Sequence, residues 1–352
     1  MVRSRVRDYG LKPGLLSTGT NNTIADVKGV GVGHCTVIEG DDIRTGVTAI
    51  TPHKGNIYEN KVSAAVDVFN GYGKSVGLSQ IINDGLIETP IMLTETLNTF
   101  KVANALIDYY FEKCVSKPRS LNSLVGETNG SYITNNYKRI IDKEHVYEAI
   151  DKSLECCGSV AEGNVGAGTP MTGYGFKGGI GTASRKVGKG TIGVLVQLNC
   201  GRKIDLTILG APVGREIDLP SEPEESPGNS IMMIVATDIS LESRQLWKLA
   251  KRTMLGLSRT GSFSSNGSGD FSIAFSTGKI NQIDFADSID VSIEEDRFLN
   301  PLYLGVVEAT EEAVLNALFK AETMQGYQGH SRYCLPINDT LSILEKHDLG
   351  KL

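Results

Sequence analysis

What this chain lacks narrows its identity before any motif is read. No apolar run in its 352 residues approaches the roughly 18 that a membrane-spanning helix needs. The basic N-terminus, MVRSRVRDYGLKPG, is not followed by the apolar segment of a secretory signal. Cysteine is sparse and unpatterned: Cys35, Cys114, Cys156, Cys157, Cys200 and Cys334 show no CxxC spacing. That excludes a secreted disulfide scaffold and favours free thiols in a reducing cytoplasm. The five histidines (His34, His53, His145, His330, His347) form no HxH or HExxH, so neither a metal nor another cofactor is expected. Thirty-five basic residues against 41 acidic ones leave a net charge of −6 with no Lys/Arg cluster. Such a surface offers no electrostatic footprint for nucleic acid or an anionic membrane. No long repeat is present, which excludes a solenoid.

Glycine, in contrast, is abundant: 40 residues, well above the roughly 7% of ordinary chains, many of them bunched in GNVGAGTPMTGYGFKGGIGTASR (163–185). There the missing Cβ allows tight loops and close backbone approach. The first hundred residues carry short β-branched runs that fit strands. The segment 100–157 reads as helical, with Ile141, Val146, Ala149, Ile150 and Leu154 close to one helix face. Three apolar runs, TIGVLVQL (191–198), IMMIVATD (231–238) and FSIAFST (271–277), read as central strands of packed sheets. Helices are expected over 241–257 and 302–324, the second with Val306, Val307, Val314, Ala317 and Leu318 facing one way. Between the first two strands, APVGREIDLPSEPEESPGNS (211–230) alternates proline with acid and reads as an exposed linker.

The glycine block does not make a nucleotide site. GxGxxG fails at Met171, and GYGKS (71–75) lacks the earlier glycine of a phosphate loop, which would fall at Val68. Lys74 and Lys177 lie in apparent turns and read as solvated. Ser230 is more informative, because it stands where the linker meets an apolar strand, just after Gly228 and Asn229. It is either a strand-capping serine or one whose hydroxyl attacks the preceding carbonyl, with Gly228 permitting a distorted peptide. Cleavage would leave an N-terminal serine whose α-amine, with a pKa near about 8, could act as base for its own hydroxyl.

Several separate stretches, in order, carry a resemblance: RTGVTAITPH (44–53), FNGYGKSVGLSQ (69–80), IETPIMLTETL (87–97), GNVGAGT and KGGIGTASR, VLVQLNCG (194–201), GNSIMMIVATD (228–238) and LSRTGSFSSNGSGDFSIAFST (257–277). The chain resembles the DmpA family of autoprocessing serine aminopeptidases, which includes L-aminopeptidase/D-amidases and β-peptidyl aminopeptidases. The resemblance implies an α/β fold, a four-layer αββα sandwich of the Ntn-hydrolase-like kind shared with ornithine acetyltransferases. It also implies a single peptidase domain over 1–352 that cuts itself at the Asn229–Ser230 bond into 1–229 and 230–352.

The residue roles are likewise implied by the resemblance. Ser230 would be the nucleophile and Asn199 the oxyanion donor. Ser268 would relay the proton and Asp270 would hold it, although some relatives carry the longer glutamate there. Tyr132 would stand near the oxyanion, and Glu127 would pair with the substrate's ammonium. Each has a plainer reading: Asn199 as a turn cap, Ser268 and Asp270 as loop hydrogen-bonders, Tyr132 as a packing residue, Glu127 as a solvated charge. The expected substrates are small peptides or aminoacyl amides and esters of L-, D- or β-configuration, and the expected assembly is a cytoplasmic homo-oligomer of processed units. Two alternatives stay open: an ornithine-acetyltransferase-like acyl transferase, and an unprocessed small-molecule binding protein.

Overall fold

The computed structural model describes residues 3–114, 117–218, 229–278 and 298–349. Its first half contains β1 (Gly31–Glu39), β2 (Ile43–Thr51), β3 (Val62–Gly71), α1 (Leu78–Asp84), β4 (Leu86–Ile87), β5 (Ile91–Glu95), α2 (Thr99–Lys113), β6 (Leu124–Thr128) and α3 (Lys143–Glu155). Next come β7 (Thr172–Gly173), β8 (Phe176–Lys177), β9 (Gly179–Val187), β10 (Gly190–Asn199), α4 (Val213–Glu216) and β11 (Ser230–Thr237). The chain continues through α5 (Ser243–Ala250), α6 (Thr253–Ser258), β12 (Gly269–Ser276), α7 (Leu299–Lys320), β13 (Met324–Gln325), β14 (Ser331–Arg332) and α8 (Ile337–Lys346).

Two sheets dominate, one ordered β1-β2-β5-β6 and the other β4-β3-β12-β11-β10-β9. Three apolar layers show how they stack. Val47, Ala49, Met92 and Val125 of the first sheet meet Leu106 of α2 and Val146 and Ile150 of α3. The alternate residues Ile50, Leu93 and Leu124 turn inward and pack on Leu195, Met232, Ile234 and Ile273 of the second sheet. That sheet's other face, with Val196, Met233 and Val235, is covered by Leu246 and Leu249 of α5 and Val306, Ala313 and Ala317 of α7. The period-two alternation of strand side chains thus produces the expected αββα sandwich. Among the described residues, no helix is long and apolar enough to cross a membrane.

Several elements depart from the sequence reading. The expected helix over 241–257 is two helices, because the Arg252 N–H bonds to Leu249 O and tightens the turn between them. The helix α7 is buried almost all round, Glu308 and Glu312 included, because β9 and the N-terminal segment both bond to it. Arg185 bonds to the two glutamates, and Val6, Arg7, Leu15, Leu16 and Asn22 bond beside it. The 163–185 block contributes three strands as well as loops, and Gly181 lets α7 settle on β9: a Cβ there would stand 1.9 Å from Ala313 O. Of the proposed linker, residues 219–228, including Gly228, lie outside the described residues. Within 211–217 the apolar residues Ala211, Val213 and Ile217 are buried while Arg215 and Glu216 stay exposed, Val213 and Ile217 being spaced as one turn of helix to bury together.

Candidate active site

Three neighbouring strands bring their ends together. Asn199 closes β10, Ser230 opens β11 and Gly269 opens β12; Asn199 pairs with Ser230, and Ser230 with Gly269. Directly paired residues project to the same face, here the inter-sheet face that Leu195 and Met232 fill further along. The parallel pairing of β11 with β12 requires a crossover, which α5 and α6 supply.

Ser230 is half-buried and its Oγ accepts a hydrogen bond from Gly269 N at 3.1 Å. Its proton therefore remains available to another acceptor. The residues on either side of Gly269 form a second cluster, in which the Ser268 hydroxyl donates to Asp270 Oδ1 at 2.6 Å. The Ser264 hydroxyl also donates to Asp270, at Oδ2. Burial pushes the Asp270 carboxyl up to about 6, with the Ser268 hydrogen bond pulling the other way. Ser264 and Ser268 share a small crevice with Asn229, so the hydroxyl–carboxylate pair adjoins the residue preceding Ser230. The short aspartate reaches both hydroxyls.

Asn199 is almost wholly buried and its carboxamide is held at both ends. Thr172 N donates to its Oδ1 at 2.8 Å, and its Nδ2 donates to Asn129 O at 2.9 Å. One N–H of an amide NH2 remains for another acceptor. Neither Thr172 nor Asn129 is singled out by sequence reasoning; Asn129 lies in GETNGSY, but its contribution is a main-chain carbonyl, which no side-chain pattern announces.

Glu127 is buried on β6, contrary to a solvated reading. Its Oε1 accepts from Lys74 N at 2.8 Å, and Lys74 Nζ lies 3.7 Å away. The 71–74 segment links it to the nucleophile region: Gly71 pairs with Gly269, Tyr72 N donates to Ser268 O, and Gly73 sits against Phe271 and Glu127. Glu95, on the neighbouring strand, is a second buried carboxyl here, pushed up to about 7 by desolvation. In the sequence it looks like one more polar strand residue.

Tyr132 is placed differently from the other candidates. Its ring stacks on His330, with centroids 4.5 Å apart, and the Arg332 guanidinium lies 3.5 Å from its centroid. These contacts hold the Tyr132 ring without joining it to Ser230, and its connection to Asn199 is indirect, through the Arg332 Nε bond to Thr172 Oγ1. Lys177 overturns its solvated reading outright: it is fully buried, because the turn of β7 and β8 folds its side chain back under residues 168–171.

The chain is similar to known proteins in family, sequence and fold. The model of peptidase family S58 matches residues 22–332. β-Peptidyl aminopeptidase BapA from Sphingosinicella xenopeptidilytica is 36% identical over 369 aligned positions, covering 97% of this chain and 91% of that protein. The solved PH0078 protein from Pyrococcus horikoshii OT3 superimposes with a TM-score of 0.88 at 44% identity, covering 98% of this chain and 99% of that one. The L-aminopeptidase D-Ala-esterase/amidase from Ochrobactrum anthropi, described as a prototype for the serine aminopeptidases and a variant of the Ntn hydrolase fold, gives 0.86 at 35% identity, with coverage of 98% and 99%.

Proposed function

The chain belongs to peptidase family S58 and is a serine aminopeptidase, and from that premise we propose that it matures by cutting its own Asn229–Ser230 bond and works through the serine so exposed. The observation that carries this reading is the alignment of Asn199, Ser230 and Gly269 at the ends of adjacent strands, with the Ser268–Asp270 pair beside them.

In maturation, Ser230 Oγ attacks the Asn229 carbonyl carbon and the peptide nitrogen leaves as an amine, giving an ester. Water hydrolyses that ester to the Asn229 carboxylate and a free Ser230 α-amine. In turnover, this amine accepts the Oγ proton as Oγ attacks the first carbonyl of an aminoacyl substrate. Ser268, donating to Asp270, is oriented to accept from the resulting ammonium and hold it in place. The remaining N–H of Asn199 stabilises the oxyanion, Tyr132 lines that side of the site, and Glu127 receives the substrate's ammonium in exchange for Lys74. Collapse of the tetrahedral intermediate returns the proton to the leaving amine, and water then releases the acid from the acyl-enzyme. The substrates are small peptides, amides or esters with L-, D- or β-aminoacyl ends.

We also propose a cytoplasmic homo-oligomer. All six thiols are free, as a reducing compartment requires, and the large exposed side chains Phe69, Tyr72 and Phe100 are available for contacts between copies.

The decisive comparison is wild type against Ser230→Ala. Denaturing mass spectrometry should find fragments 1–229 and 230–352 in the first and an intact chain in the second. Hydrolysis of L-, D- and β-aminoacyl p-nitroanilides should vanish with the serine. Equal turnover by both proteins would remove Ser230 from the mechanism.

A further inference from the structure

Lys177 is a buried cation that the scheme above does not use. Its Nζ lies 2.8 Å from Met171 O, 2.9 Å from Gly178 O and 3.1 Å from Gly168 O, one acceptor for each ammonium hydrogen. No carboxylate among the described residues lies within ion-pair distance of it. Burial drives its pKa well below the ordinary lysine value. The three carbonyls act in the opposite sense and hold the proton, since a neutral amine would turn its lone pair toward one of them.

One of the three acceptors leads to the active site. Met171 C=O and Thr172 N–H belong to a single planar trans peptide group, so they point in opposite directions. Lys177 grips the carbonyl end, and the N–H end donates to Asn199 Oδ1 at 2.8 Å. Thr172 is also held through its side chain, by buried Arg332, whose Nε donates to Thr172 Oγ1 at 3.1 Å. A cation on one carbonyl strengthens the donor at the far end of that amide, and the effect passes along hydrogen-bonded amides in series. Lys177, the Met171 carbonyl, the Thr172 N–H and the Asn199 carboxamide form such a series. We propose that Lys177 is a positioning residue for the reaction, its ammonium orienting and polarising the Asn199 carboxamide through one intervening peptide group. This rests on Asn199 being the oxyanion donor.

The test is a double-mutant cycle with Lys177→Met and Asn199→Ala, read by kcat and KM on an aminoacyl p-nitroanilide. Where a variant does not mature, the self-cleavage rate is the readout of the same cycle. Losing an oxyanion donor should lower kcat by about 10²–10³. Lys177→Met alone should lower kcat about 10-fold or more, with KM within about twofold. In the Asn199→Ala background it should cost less than about twofold further, because its route to the reaction has gone. Should the Met variant not fold, Lys177→Gln, which keeps two donors without the charge, replaces it in the cycle with the same expected coupling. Undiminished kcat in the Lys177 variant, or a loss that multiplies with that of Asn199→Ala, would overturn the proposal and leave the oxyanion reading standing. Undiminished kcat in Asn199→Ala alone would remove both.

Discussion

At the scale of single residues, Asp270 sets the most direct test, because its carboxyl is buried and, among the described residues, the side chains that hydrogen-bond to it are the hydroxyls of Ser264 and Ser268. Its pKa in the folded protein, about 6, lies above the ordinary 3.8. The ionised form therefore carries a folding cost that is absent below the ordinary value and grows as pH rises to about 6. In a Ser230→Ala background, which keeps the chain intact, Asp270→Asn should be more stable than Asp270 above pH 6 by at most about 3 kcal/mol. The two urea midpoints should converge as pH falls toward 4; a difference independent of pH would contradict the assignment. Function runs the other way, since the proposed relay needs the carboxylate. Turnover of an aminoacyl p-nitroanilide by matured protein should lose a further tenfold or so for each pH unit below about 6, beyond the loss from protonating the α-amine, which initial rates across pH will show.

Ser230 stands out in the sequence by itself, as a serine opening an apolar strand, whereas Ser268 and Asp270 are picked out through the family resemblance and otherwise read as loop hydrogen-bonders. Asn199 was legible only as an asparagine ending a strand. Its partners at 129 and 172 come from distant parts of the chain, and Thr172 acts through its backbone. Lys177 reads as solvated because the sequence shows a lysine among glycines, while burial is decided by which carbonyls the folded turn supplies. The Tyr132 ring is spoken for by Arg332 and His330, two hundred residues away, a pairing no local pattern carries.

At the scale of elements, α7 shows where periodicity misleads. Its apolar residues Val306, Ala313 and Ala317 cover the six-stranded sheet as a helical stripe should, yet Glu308 and Glu312 are buried as well. Fully buried Arg185 on β9 explains them, with Nε 3.0 Å from Glu308 and a terminal nitrogen 2.8 Å from Glu312. The N-terminal segment completes the network: Leu15 N and Leu16 N donate to Glu308, and Arg7 Nε pairs with Glu312 at 2.7 Å. Removing the central cation leaves Glu308 with neutral donors alone in a site closed to water. Arg185→Met should therefore destabilise the protein by about 3–5 kcal/mol in urea unfolding. Arg7→Met should cost distinctly less, since Arg7 is a quarter exposed and Glu312 would keep Arg185. Equal losses, or a change below about 1 kcal/mol for Arg185→Met, would show that the network does not hold α7 to the sheet.

At the scale of the whole molecule, the six-stranded sheet connects maturation to stability. The strands β3, β4, β9 and β10 precede position 229, whereas β11 and β12 follow it, and the sheet order is β4-β3-β12-β11-β10-β9. The two strands of the later segment are thus flanked on both sides by strands of the earlier one. A cut at 229/230 would sever one covalent link and leave the β12–β3 and β11–β10 ladders intact, together with the apolar layers on both sheet faces. Separating the products would expose four strand edges at once, two on each piece, and break both sheet-covering cores. Neither segment could keep its fold without the other, so cleavage should not create two units that melt independently. Matured protein should elute as one species carrying both fragments in native size-exclusion chromatography, and should unfold in a single calorimetric transition. Fragments that elute apart without denaturant, or two resolved transitions, would show that the sheet is not continuous across the cut. The same continuity would let the proposed new terminus serve chemistry: with β11 held between β10 and β12, Ser230 would keep its place beside Asn199 and Gly269 once the preceding chain was released.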